Sequence, residues 1–237
     1  MNQFDNTPVM QNNSGEPFYQ TWIKALTKPY ESTYAEIGNS PNAKATTAYL
    51  WVFMSSVVVS FFTLLMRGAI MGSRFANLGN GRLGNGIGAA ALVLICGTPV
   101  VAAIGTMFFA LLVAIIQWIA KMFGGRGNND QLAYVFAAIG VPYSLISSIF
   151  ILLSAIPFVG LCFRIVLGLA GLYILVLQIM AVKAVNKFGW GQAAGSVFIP
   201  GCVVFILCAC VVFGGLMLMA PMIGNVFSGI NRSLLAP

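Results

Sequence analysis

Ser144, Ser147 and Ser148 come closest to a nucleophile set in this chain. Their spacing of three and four places them on one helix face. A serine hydroxyl attacks only when a base takes its proton. The chain has no histidine, and after Glu36 it holds a single acidic residue, Asp130. That leaves Lys183 or Lys187 as the base of a Ser–Lys pair. Hydroxyls grouped on an apolar helix face more often bond neighbouring helices. We therefore read the chain as a non-enzyme and assign no catalytic residue.

Metal and cofactor chemistry fares no better. The five cysteines, Cys96, Cys162, Cys202, Cys208 and Cys210, all fall inside apolar runs without a pairing pattern. Zinc and iron sites draw on Cys, His and carboxylates at defined spacings. Cys208 and Cys210 stand two apart and point away from each other on a helix. The cysteines read as small packing residues. No metal ligand and no cofactor-binding residue is assigned. Met217, Met219 and Met222 read as adaptable apolar contacts.

These residues sit in an unusual solvent. Hydrophobic residues make up 59% of the 237 positions and charged residues 7%. Soluble domains average about 45–50% and about 25%. So few charges cannot build a water-facing surface, so the chain belongs in a membrane. The net charge of +7 comes from bases scattered singly at the ends of apolar runs. That pattern suits anionic headgroups and not nucleic acid, which needs a clustered basic strip. No basic segment followed by an apolar one opens the chain, so no cleaved leader is expected.

The elements follow from the runs. Residues 1–15 are rich in Asn and Gln and read as a disordered tail. Within 16–47, Phe18, Trp22 and Leu26 recur every four residues, and Tyr30, Tyr34 and Ile37 repeat the pattern after Pro29. Pro29 fits the first position of a second short helix, with Glu31 in its first turn. Lys24 and Lys28 lie beside the aromatics. Two amphipathic helices of this kind suit the membrane surface; packing on a soluble partner is the alternative. Phe18, Trp22, Lys24, Leu26, Lys28, Tyr30 and Tyr34 are thus candidate membrane-surface or partner contacts.

Five spans are expected, at about 48–66, 89–119, 132–153, 161–182 and 196–219; four are near the ~20 residues a bilayer needs, and the second is longer than the bilayer core. Pro99 starts or kinks the second and Pro142 bends the third. Loop 67–88 repeats Leu-Gly-Asn-Gly at 78–81 and 83–86. Its Asn-Gly turns could cradle an anion beside Arg74 and Arg82; a flexible connector is the plainer reading. Arg74, Arg82, Lys183 and Lys187 are candidate headgroup contacts. Loop 121–131 reads as water-exposed. A C-terminal tail, 222–237, ends the chain. With the N-terminus inside, seven Lys and Arg fall on that side and five on the other, a lean towards a cytoplasmic N-terminus.

One stretch is more specific. It carries Tyr134, Ala137-Ala138, Pro142-Tyr143-Ser144, Ile156-Pro157-Phe158-Val159-Gly160, Tyr173, Ala181-Val182-Lys183-Ala184-Val185, Phe188-Gly189-Trp190-Gly191-Gln192-Ala193 and Ile199-Pro200. Upstream stands Trp22-Ile23-Lys24-Ala25-Leu26-Thr27-Lys28-Pro29. Together they resemble the Yip (Ypt-interacting-protein) domain family of five-span membrane proteins, in particular its bacterial branch. The resemblance implies an all-helical bundle, a cytoplasmic N-terminus and a bacterial plasma membrane. Eukaryotic relatives bind small Rab-type GTPases in vesicle trafficking. Their acidic Asp-Leu-x-Gly-Pro motif has no match here, the nearest stretch being Gly97-Thr98-Pro99, so no functional residue is carried across.

The sequence therefore predicts an all-α polytopic bundle, a five-span membrane domain at 48–221 behind N-terminal surface helices. It would act by binding membrane lipids and other integral membrane proteins, a second copy of itself included, as a scaffold or accessory subunit that organises the bilayer. Coupled transport needs intramembrane charges or unwound helices. With no visible inverted repeat, a passive lipid or small-solute pathway is the competing reading.

Overall fold

The computed structural model describes residues 17–76, 83–153 and 159–203, and then 205–206, 209–210, 212–214 and 217; side chains are described outside 65–94, 152 and 159. The described chain is helical, in the order α1 (Phe18–Thr27), α2 (Glu31–Gly38), α3 (Ala45–Ala76), α4 (Leu83–Met122), α5 (Asn129–Leu153) and α6 (Val159–Asn186). Residues 190–203 are also helical. The expected tails 1–15 and 222–237 lie outside the described residues.

Four helices are long and apolar enough to cross a membrane: Ala45–Leu64, Ile95–Met122, Asn129–Ile151 and Gly160–Asn186. This corrects the expectation of five. The fifth predicted run, 196–219, falls partly outside the described residues, and no further described segment meets that length. The predicted loop 67–88 also contracts. Helix α3 continues to Ala76 and α4 starts at Leu83, so the second Leu-Gly-Asn-Gly is helical and the first lies outside the described residues. Helix α4 has 40 residues, about 60 Å at 1.5 Å each, against a hydrocarbon core of about 30 Å. Pro99 lies inside this helix.

Helix α5 is the axis of the bundle. Leu132 to Ile139 are all buried, as a helix apolar on every side must be. Of its most apolar window 44% is buried, against 11–22% in the other three spans. Those three cover α5 and turn their outer faces to lipid, with Phe108, Leu111, Leu169 and Leu172 among the exposed side chains. Ser144, Ser147 and Ser148 donate to the carbonyls of Val141, Ser144 and Leu145 in their own helix. Among the described residues they bond no neighbouring helix, the arrangement the sequence suggested. The four described cysteines are free and exposed, not the buried packing residues expected.

Candidate functional site

Up-and-down spans bring the start of α3, the α4–α5 loop and the end of α6 to one end of the bundle. Here the N-terminal helices fold back on their own chain. Pro29 ends α1 because Lys28 before it is pushed out of helical geometry, to φ −117 and ψ 77. The Tyr30 N–H then donates to the Lys28 carbonyl at 2.8 Å, a three-residue turn centred on Pro29. Helix α2 starts at Glu31, with Tyr30 as its cap. Pro29 therefore precedes the second helix and is not its first residue, as had been expected; Glu31 does take the first turn.

The last carbonyls of any helix need outside donors. At α1 two tyrosines supply them. The Tyr34 hydroxyl donates to Ala25 O at 2.9 Å and the Tyr173 hydroxyl to Leu26 O at 2.8 Å. Tyr34 is fully buried. Burial, and second the nearby Tyr173, push its hydroxyl well above the ordinary tyrosine range, so it stays a donor. Tyr34 thus faces the bundle of its own chain. Thr21 and Ala25 form the buried side of α1, small residues that permit close approach. Phe18 and Trp22 sit beside that seam. A ladder of rings runs from Phe18 through Trp22 and Trp51 to Tyr134, with centroids 5.2, 5.6 and 4.9 Å apart.

Ion pairs fix the hairpin. Lys24 meets Glu36 at 2.6 Å and Lys183 meets Glu31 at 2.5 Å. Lys183 also lies 4.7 Å from the centre of the Trp190 ring. Both carboxylates of α2 are therefore engaged by lysines. Phe18, Tyr19, Ile23 and Tyr30 remain on the outside, each at least half exposed. Lys28 is exposed, and Leu26 is half-buried against the core.

Beside the hairpin, one asparagine ties two loops together. Asn186 Oδ1 accepts from Gln117 Nε2 at 2.9 Å and from the Gly127 N–H at 3.2 Å. Its Nδ2 donates to Gln117 Oε1 and to Val182 O, and its carbonyl accepts the Arg126 N–H at 3.2 Å. Gln117 Nε2 also donates to Gly127 O at 2.7 Å. A side chain at Gly125 or Gly127 would begin 2.6 Å from Asn186 or Val185, so both must be glycine for the loop to lie this close.

The two helix ends beside this knot differ. Helix α4 closes on Gly124 at φ 87, with Gly125 N bonded to Ala120 O and Gly124 N to Lys121 O, the glycine-dependent end motif. Helix α6 closes on Lys187 at φ 55, its N–H bonded to Lys183 O. A residue with a Cβ in that conformation costs about 1–2 kcal/mol, which glycine avoids. Between α2, the α4–α5 loop and the end of α6 opens a cavity of about 180 Å³, lined by Ala35, Gly38, Asn39, Arg126, Gln131, Ala184, Val185 and Lys187.

Of the predicted headgroup residues, Lys187 lines this cavity, Lys183 is paired, and the side chains of Arg74 and Arg82 lie outside the described residues. Arg126, Asn39 and Gln131 were not singled out from the sequence. Their separation along the chain hides their meeting; only Arg126 carries a charge that could have marked it. Two larger hollows, about 470 Å³ beside Leu175 and Phe198 and about 410 Å³ beside Tyr49 and Met107, are apolar grooves on the outer faces of the spans. A model of the Yip1 domain matches residues 23–213. No curated protein and no solved structure matches the chain.

Proposed function

The chain belongs to the Yip1 domain family of membrane proteins, and on that premise we propose that it acts by binding, as a scaffold or accessory subunit of a membrane assembly. The carrying observation is the docked hairpin. Its inner seam is satisfied by the bundle, yet Phe18, Tyr19, Ile23 and Tyr30 stay exposed outside the spans. Aromatic side chains left at an interfacial position suit a partner or the headgroup layer. Three buried polar atoms without partners among the described residues, Trp22 Nε1, Ser40 Oγ and Asn129 Oδ1, lie at this same end.

The buried α5 counts against a passive lipid or solute pathway, since a path needs an open interior. Lys44, Lys121, Arg126, Lys183 and Lys187 share one end of the bundle, which supports its placement in the cytoplasm. The resemblance of residues 22–29 to the bacterial branch supports a bacterial plasma membrane.

The test is photocrosslinking in native membranes from a probe at Ile23 or Tyr30, followed by extraction in mild detergent. One reproducible membrane-protein adduct, or a second copy of the chain, supports the reading. A lone monomer at both positions, with solute flux through reconstituted vesicles, overturns it.

A further inference from the structure

We propose that the cavity between α2, the α4–α5 loop and the end of α6 binds a phosphate group, held by Arg126, Lys187 and the side-chain amide of Asn39. The proposal is independent of the partner face on the hairpin.

The lining supplies donors and cations without a carboxylate. Arg126 and Lys187 have no ion-pair partner among the described residues, whereas Glu31 and Glu36 are engaged by Lys183 and Lys24. The neutral residues are oriented to match. Gln131 Oε1 accepts the Asn128 N–H at 3.1 Å, and Gln131 Nε2 donates to Asn39 Oδ1 at 3.0 Å. Each side-chain oxygen already accepts a bond from within the protein, and the Asn39 amide N–H groups are left to donate. A phosphate is an acceptor at every oxygen, and a guanidinium can meet two of them at once.

The backbone holds the two cations together. Asn186 precedes Lys187, and its carbonyl and side chain bind Arg126 N–H and Gly127 N–H. Two cations that line one cavity oppose one another unless an anion lies between them. Lys187 also occupies a left-handed position where its neighbour helix uses Gly124. A strained residue retained where glycine fits better points to its side chain as the reason.

Phosphatidic acid in phosphatidylcholine nanodiscs and inorganic phosphate in solution are the two probes. Native mass spectrometry counts retained lipid; thermal shift reads inorganic phosphate. Lys187→Gly keeps the left-handed backbone and removes the charge, so it tests the site without unfolding the helix end. Arg126→Gln is the second variant, and Lys121→Gln, an exposed lysine at the same end, is the control. The expected result is a loss of roughly tenfold in affinity for each pocket variant, with Lys121→Gln unchanged. Retention of lipid with no shift from inorganic phosphate assigns the phosphate to a lipid headgroup; equal response to both assigns a free phosphate. Binding by the double variant as tight as by the native chain overturns the proposal. So does an equal loss in Lys121→Gln, which would mean diffuse surface charge alone.

Discussion

The Tyr173 hydroxyl donates to the backbone carbonyl of Leu26 at 2.8 Å, across 147 positions of sequence. A residue well inside a membrane-crossing helix thus completes the end of a helix that lies outside the spans. Tyr34 does the same for Ala25 from the neighbouring helix. The hairpin is therefore built into the bundle through its own unpaired carbonyls, beyond mere apolar contact.

Removing either hydroxyl should loosen α1 selectively. Tyr34→Phe leaves a buried carbonyl unpaired and should cost about 1–3 kcal/mol; Tyr173→Phe, at a partly exposed site, about 0.5–1.5 kcal/mol. Hydrogen exchange across 18–28 checks this. Faster exchange there, with the spans unchanged, is the expected result.

Alkali should act on the same joint. The Tyr34 hydroxyl is raised above the ordinary tyrosine value by burial and then by Tyr173. Its contribution is complete below the unfolded value near 10. It declines as pH rises through the folded value. The hairpin should stay docked up to about pH 9 and loosen only beyond pH 10. Ultraviolet titration of phenolate should show one late tyrosine, absent in Tyr34→Phe.

The lipid-facing spans were legible in the sequence because about 20 apolar residues in a row suit a bilayer and little else. Pro29 was equally legible as a break and Glu31 as a helix start. What covers α1 was not. The Phe18, Trp22 and Leu26 stripe announces an apolar face, yet Thr21 and Ala25, which have no such signature, make the closest approach. Gln117 and Asn186 stand 69 positions apart, and neither residue looks unusual alone. The glycines and asparagines at 83–86 read as a turn, yet they lie in α4.

Asn186 should be among the most sensitive polar positions. Asn186→Ala strands the Gly127 N–H and the Gln117 side-chain carbonyl in a buried site, at about 1–3 kcal/mol for each group left unpaired. Gly127→Ala should do comparable harm by a different route, because its Cβ would start 2.6 Å from Val185. Thermal melting in detergent, with proteolysis of the α4–α5 loop, checks both. Gln192→Ala, which removes the bond to Phe123 O on the exposed side, should cost less than about 1 kcal/mol.

Lys183 joins a carboxylate and an indole in one contact, so its two roles separate by charge. Lys183→Met keeps the side-chain stem and loses both the Glu31 pair and the Trp190 contact. The cost should be about 1 kcal/mol, since the pair is half open to solvent on the Glu31 side. Lys183→Arg should keep most of it. Raising salt should narrow the gap between the native chain and Lys183→Met, read as the difference in melting temperature.

The surrounding solvent can be tested with one substitution at two sites of similar exposure. Leu172 lies outward near the middle of α6 and is 62% exposed; Met122, the last residue of α4 beside the polar α4–α5 loop, is 70% exposed. In water, an aspartate at either exposed position would change stability by about 0.5 kcal/mol or less. In a bilayer the two sites diverge. A carboxylate at a helix centre in hydrocarbon costs about 2.5–3.5 kcal/mol, while Met122 stands at the end of its span. Leu172→Asp should therefore lower the yield of membrane-inserted protein and its melting temperature in nanodiscs, and Met122→Asp should change both far less. Equal tolerance at the two sites would mean that the outer face of α6 does not meet lipid.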